Sequence, residues 1–167
     1  RVAGGVLAPG FIVAQANGGG GVLLNDAPTA DGVRTICDAH ARFGTTALLP
    51  TLITDSPAIT AKAVASVKEA MVGGTLGCLG LHLEGPFLSP ERRGAHDANL
   101  IRTMTEADVD EMVSLGIETL LITVSPERIT PAIIQRLVDG RVIVSLGHSN
   151  ATYDQILAAV DAGARGV

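Results

Sequence analysis

Tryptophan is absent from this 167-residue chain, and three phenylalanines and one tyrosine make up its whole aromatic complement. Yet 47% of the residues are hydrophobic and mean hydropathy is +0.38, so the apolar mass is Ala, Val, Leu and Ile. Aliphatic strands packed by Ala-rich helices are the composition of a parallel α/β protein. Basic residues are few as well: 12 Lys and Arg against 17 Asp and Glu give a net charge of −5. No basic stripe exists to neutralise phosphates, which argues against nucleic acid as a partner. Arg92-Arg93 is the densest basic spot. The two cysteines, Cys37 and Cys78, lie far apart in sequence and are expected to be free thiols in a reducing cytosol. No run reaches the roughly 20 apolar residues that a spanning helix needs, so no membrane partner is expected. The start at Arg1 shows neither an initiator Met nor a signal-peptide core. The expectation is a cytoplasmic protein, or a piece of one.

Some chemistries also lack their signatures. The tetraglycine 18–21 is followed by Val-Leu-Leu, not by Gly-Lys-Ser/Thr, so it is no phosphate cradle of the P-loop kind; a turn or a close backbone passage is its expected use. No serine sits in a nucleophile-elbow pattern and neither cysteine has a base nearby in sequence, which argues against covalent catalysis.

What is present is a rhythm of strand, loop and helix. Strands are expected at 11–16, 45–49 (ended by Pro50), 76–84, 119–124 and 142–146, with 164–167 entering a sixth. Helices are expected at 31–42, 57–71, 103–115 (Thr103 and Glu106 forming a capping box), 130–138 and 152–162. Five βα units fit a parallel sheet of right-handed crossovers, either doubly wound or part of a (β/α)8 barrel. Polar residues recur at strand C-terminal ends: Gln15, Asn17, Thr51, Glu84 and His148. Barrel active sites are built there, which favours the barrel. A full barrel takes about 250 residues, so the fold class expected is α/β, a partial (β/α)8 barrel.

The densest signal is His82-Leu83-Glu84-Gly85-Pro86-Phe87. Strand alternation places His82 and Glu84 on one face and Leu81 and Leu83 on the other. A second buried run, 142–147, delivers His148-Ser149-Asn150. A carboxylate and an imidazole at the ends of two buried strands suggest a metal site. Blander readings stand beside this one. Glu84 could pair with Arg92 or Arg93, and His148 could be a polar residue leading into a helix cap. His82 reads as a supporting core histidine, His40 as a surface residue, and His96 lies in a long loop, 85–99, where it could be idle. A loop longer than the usual ~2–6 residue connection is itself a mark of function.

Taken in order, Ala8-Pro9-Gly10-Phe11-Ile12, Gln15-Ala16-Asn17 with the tetraglycine, Phe43-Gly44-Thr45-Thr46, Leu49-Pro50-Thr51, the Glu84 motif, Gly94-Ala95-His96 and Gly147-His148-Ser149-Asn150-Ala151-Thr152 span essentially the whole chain. This succession resembles the N-acetylglucosamine-6-phosphate deacetylase family of the amidohydrolase superfamily. The resemblance implies metal-dependent hydrolysis of an N-acetyl amide on an amino sugar phosphate. It makes Glu84 and His148 ligands of one divalent ion, zinc, and Ala95 and His96 contacts of the sugar. Gln15 and Asn17 stand where distant superfamily members carry a His-x-His metal pair. That substitution speaks for a one-metal site and against the alternatives, a deaminase or a cyclic amidase. The catalytic Asp and a second histidine ligand are expected outside this chain, and Val13 stands where the family usually has Asp. Residues 1–167 would then be the N-terminal part of the barrel, with 1–8 a trace of a flanking small β domain. The full protein would be a homodimer, and this portion alone a non-catalytic partial barrel.

Overall fold

The computed structural model describes residues 4–167. Its sheet has five strands, β1 (Phe11–Ala16), β4 (Thr45–Ile53), β5 (Leu81–Glu84), β6 (Leu120–Val124) and β7 (Ile143–Leu146), joined in that order. Every pairing is parallel. The helices between them are α1 (Ala30–Ala41), α2 (Pro57–Val72), α3 (Glu106–Ser114) and α4 (Pro131–Asp139), with α5 (Tyr153–Asp161) after the last strand. Strand order follows chain order without reversal. A doubly wound sheet must reverse at a switch point; right-handed crossovers that never reverse put all helices on one face and curl the sheet toward a barrel. The open-sheet alternative is thereby removed.

Local chemistry explains the elements. Thr29, Ser56, Thr130 and Thr152 each cap a helix by accepting a backbone N–H with the side-chain oxygen, and Pro57 and Pro131 occupy first-turn positions where no donor is lost. The outward face of the sheet supplies the core. Leu52, Leu81, Leu83, Ile122 and Val144 pack with Val33, Ile36, Val67, Val109 and Ile134 of the helices, all at most 2% exposed.

Three expectations are corrected. Pro50 does not end its strand: β4 runs on to Ile53, because Pro50 pairs with Ala16 of β1 without needing its missing N–H there. The tetraglycine makes the turn expected of it, within a small hairpin of β2 (Gly18–Gly19) with β3 (Val22–Leu23). The capping box at α3 belongs to Thr105 and Asp108, two residues later than Thr103 and Glu106. Regular strand structure in the third run is confined to Leu81–Glu84, preceded by an isolated bridge from Cys78 to Leu48. The entry to a sixth strand is present only as a bridge from Gly166 to Ser145.

Of the segment expected to trace a flanking domain, residues 1–3 lie outside the described residues, and residues 4–8 are exposed and carry no strand. Cys37 and Cys78 are free. Though distant in sequence they are neighbours in space, and hydrogen bonding with Cys78, together with burial, pushes the Cys37 thiol up. No described helix is long and apolar enough to cross a membrane.

Candidate metal centre

Strand β5 delivers the centre of the site. Its four residues are all buried, and the alternation sends Leu81 and Leu83 to the helices while His82 and Glu84 line a concavity of about 410 Å³ on the inner face, with Thr123, Ser145 and His148. The chain must leave the strand immediately after Glu84. Gly85 allows this: its φ is +86°, and a Cβ there would lie 2.2 Å from Thr54 Oγ1. No other residue fits both the conformation and the space.

Four of the residues named from sequence converge on one carboxylate. Glu84 Oε2 accepts from the Gln15 amide at 2.9 Å and from the Asn17 amide at 3.4 Å. Glu84 Oε1 lies 2.9 Å from His148 Nε2 and 3.7 Å from His96 Nε2. The acceptor thus has one oxygen tied down by amides and the other turned to imidazoles. His96, with His148 and Asn17, holds the Glu84 carboxyl down at about 2 against the opposing push of burial. It is ionised at any ordinary pH. Neither Arg92 nor Arg93 pairs with it: Arg92 donates to the Asn150 side chain and Arg93 to the His96 carbonyl.

Glu84, His96 and His148 offer ligand atoms all within 4.8 Å of one another. Sequence reasoning separated His96 from the metal pair, and the structure puts it in the same cluster, buried at 3% side-chain exposure. Hydrogen bonding nevertheless distinguishes the two rings. His148 Nδ1 faces the Arg92 carbonyl at 2.8 Å. A carbonyl only accepts, so Nδ1 carries a proton, and Nε2 points at the Glu84 oxygen, the position from which it would bind a cation in place of its contact with the carboxylate. This is how metal-ligating histidines are oriented. His96 has the opposite arrangement. Its Nδ1 accepts from the Thr54 backbone N–H at 3.3 Å and lies 2.8 Å from the Thr54 hydroxyl. A backbone N–H only donates, so in the neutral ring the proton sits on Nε2, which makes that atom a donor and not a ligand. The rings meet edge to face, 4.7 Å between centroids.

Beneath the carboxylate lies His82, 2% exposed, between Thr123 Oγ1 at 2.8 Å and Thr51 Oγ1 at 3.3 Å. Burial pushes its pKa down to about 4, against the pull of Glu84, so it is a neutral strut. Ala95, beside His96, is exposed. His40 is half-buried rather than a bare surface residue, with Nε2 3.0 Å from the Gly18 carbonyl. Sequence reasoning missed Thr54, Thr123 and Glu127. Alternation along β6 could have pointed to Thr123; Thr54 and Glu127 carry no local signal.

A carboxylate and an imidazole at strand C-terminal ends, with a loop imidazole beside them, define the class: a partial parallel α/β barrel with a candidate metal centre at its C-terminal face. Comparison with known proteins narrows this. The chain is 43% identical over 166 residues to N-acetylgalactosamine-6-phosphate deacetylase of Shewanella sp. (strain ANA-3), covering 99% of this chain and 42% of that protein. It is 36% identical over 161 residues to N-acetylglucosamine-6-phosphate deacetylase of Haemophilus influenzae, covering 96% and 42%. The crystal structure of N-acetylglucosamine-6-phosphate deacetylase from Pasteurella multocida superposes with a TM-score of 0.88 at 36% identity, over 93% of this chain and 41% of that one. No family model matches. The chain is a partial-chain homologue of the N-acetylglucosamine- and N-acetylgalactosamine-6-phosphate deacetylases. It spans about 42% of the length of the curated relatives it matches.

Proposed function

We propose that this chain supplies the Glu84–His148 half of the active site of an amino-sugar deacetylase. The reaction is hydrolysis of the N-acetyl group of N-acetylglucosamine 6-phosphate, or of its galactosamine epimer, to the amino sugar phosphate and acetate. The observation that carries the reading is the convergence of Gln15, Asn17, His96 and His148 on Glu84.

The donor set suits one divalent ion, and zinc in particular, which takes carboxylate oxygen and imidazole nitrogen. Glu84 and His148 would hold it, and a third protein ligand belongs to the part of the relatives this chain does not span. When bound, such an ion lowers the pKa of its water toward about 7 and polarises the amide carbonyl. The chain's own residues do the rest of what is visible here. Gln15 and Asn17 tie down Oε2 of Glu84 and leave Oε1 turned to the imidazoles. The Arg92 carbonyl holds the proton on His148 Nδ1. His96 Nε2–H supplies a fixed donor for an oxygen of the sugar or its acetyl group. The proton-transferring carboxylate is the Asp that the resemblance places elsewhere in the protein.

A phosphorylated sugar does not cross membranes unaided, which supports a cytoplasmic setting, and the resemblance implies a homodimer. A second reading concerns the chain by itself. Strand β1 leaves an open edge with Phe11 67% and Ile12 75% exposed, which favours a non-catalytic partial barrel until further strands cover it.

The test is a chimera in which this chain replaces the matching part of the Shewanella relative. Acetate release from both sugar phosphates, lost on Glu84→Gln, is the expected result. A folded chimera that binds zinc and releases no acetate from either would overturn the reading.

A further inference from the structure

His148 is the one non-glycine residue of the site with a left-handed backbone, at φ +50°. Such a conformation persists only where the surroundings over-determine it, so the contacts that fix the loop between β7 and α5 matter. On its N-terminal side the Gly147 N–H donates to the Val124 carbonyl at 3.0 Å, and the His148 carbonyl accepts from the Ser89 N–H at 2.9 Å. On its C-terminal side two side chains act: Arg92 donates to the Asn150 side chain, and Glu127 holds the Ser149 hydroxyl and the Asn150 backbone N–H. Glu127 Oε1 accepts the Asn150 N–H at 2.6 Å, and Glu127 Oε2 accepts the Ser149 hydroxyl at 2.7 Å. Ser149 Oγ in turn accepts from the Ala151 N–H at 2.8 Å.

Glu127 itself stands on firm ground. It lies in the 3-10 turn Pro126–Arg128 that follows β6. That turn is tied by Arg128 N–H to the Ser125 carbonyl, and the Ser125 N–H to the Phe87 carbonyl. Both carboxylate oxygens are committed to the two residues after His148, and none of its hydrogen bonds reaches Glu84, His96 or His148.

We propose that Glu127 is the positioning residue of this site: it clamps the loop so that His148 Nε2 stays aimed at Glu84 Oε1, and thereby sets the affinity of the site for a divalent cation. The second half of the statement rests on the reading of Glu84 and His148 as metal ligands; the first half does not. Outer partners of metal ligands characteristically change affinity by about 10–100-fold when removed.

Two readouts on the 167-residue chain keep the halves apart. The first is ¹⁵N NMR of the histidine rings without metal, where the wild-type His148 ring keeps a slowly exchanging Nδ1–H bonded to the Arg92 carbonyl. The second is titration with zinc chloride. Glu127→Ala is expected to lose that protected His148 Nδ1–H signal, leave the His82 ring signals in place, and weaken zinc about 10–100-fold. Glu127→Gln, which keeps an acceptor for the Asn150 N–H, is expected to restore most of both. An Ala variant with an unchanged His148 ring and unchanged zinc affinity would overturn the proposal. Should Glu127→Ala lose the His82 signals too, meaning general unfolding, Ser149→Ala decides. It removes one of the two bonds, and it must loosen the His148 ring for the clamp to stand. A wild-type chain with an ordered His148 ring and no zinc binding would count against the metal reading, and the ring signals would then judge the clamp alone.

Discussion

The two faces of one short strand are built on opposite terms. In β5, Leu81 and Leu83 are 0% and 2% exposed among aliphatic side chains. Their neighbours His82 and Glu84 are as well buried, at 2% and 6%, yet they are held by hydrogen bonds. On the outer face stability comes from area removed from water, and any aliphatic shape that fits will serve. On the inner face each group is held by a particular partner: Thr51 and Thr123 for His82, the Gln15 and Asn17 amides and two imidazoles for Glu84. Burial alone therefore does not distinguish core from site in this molecule. The chemistry of the partners does.

Substitutions one residue apart can break that comparison. Leu83→Ala should carry the largest cost, about 2–5 kcal/mol of stability, read in a denaturant melt, with zinc affinity unchanged while the protein remains folded. Glu84→Gln should act chiefly on zinc. Zinc affinity falls by more than about 100-fold, beyond the loss of an outer partner, while the melting midpoint drops less than in Leu83→Ala, because the depressed carboxyl is itself stabilising at neutral pH but the amide keeps the shape and one acceptor. Equal effects of the two on both readouts would erase the distinction.

Thr123→Val sharpens it. The variant keeps the shape but leaves buried His82 Nε2 without its 2.8 Å partner, and should cost about 1–3 kcal/mol. An inner face that behaved as a simple apolar core would instead be indifferent to it.

The smallest effect lies away from both faces, where Arg102 forks onto Asp108 beside α3. Arg102, with help from Thr105, lowers the Asp108 carboxyl from 3.8 to about 2. A depressed carboxyl stabilises the fold above its unfolded pKa and loses that contribution as pH falls through the folded value. The difference between wild type and Asp108→Asn should therefore be present at neutral pH and shrink between about pH 4 and pH 2. With Arg102 half-exposed, it should stay below about 1 kcal/mol. Melts at a series of pH values would show it.

These contrasts also explain what could be read from sequence. The Leu-His-Leu-Glu alternation, the Gly-Pro stop and the chain-order rhythm of strands are local signals, and they suffice for the barrel-type sheet and for placing Glu84 and His148 at strand ends. Gln15 and Asn17 were legible as replacements for a histidine pair, but their convergence on a single carboxylate oxygen needed the register of β1 against β4 and of β4 against β5. His96 was legible only as a loop histidine. What fixes its tautomer is Thr54, 42 residues earlier, and no sequence pattern joins the two. Glu127 shows the same limit, since its partners are 22 and 23 residues away. The run of β4 through Pro50 was missed for a different reason. Proline ends a strand only when its missing N–H was needed, and here the parallel register does not ask for it.

The central claim, that the inner-face groups form a one-ion site with His148 as ligand and His96 as donor, is tested most directly by anomalous diffraction from crystals of the chain grown with zinc. The account predicts one peak at bonding distance, about 2.0–2.2 Å, from a Glu84 oxygen and His148 Nε2, with His96 Nε2 farther away. No peak at Glu84, or one bonded to His96 while His148 keeps its contact with the carboxylate, would contradict it.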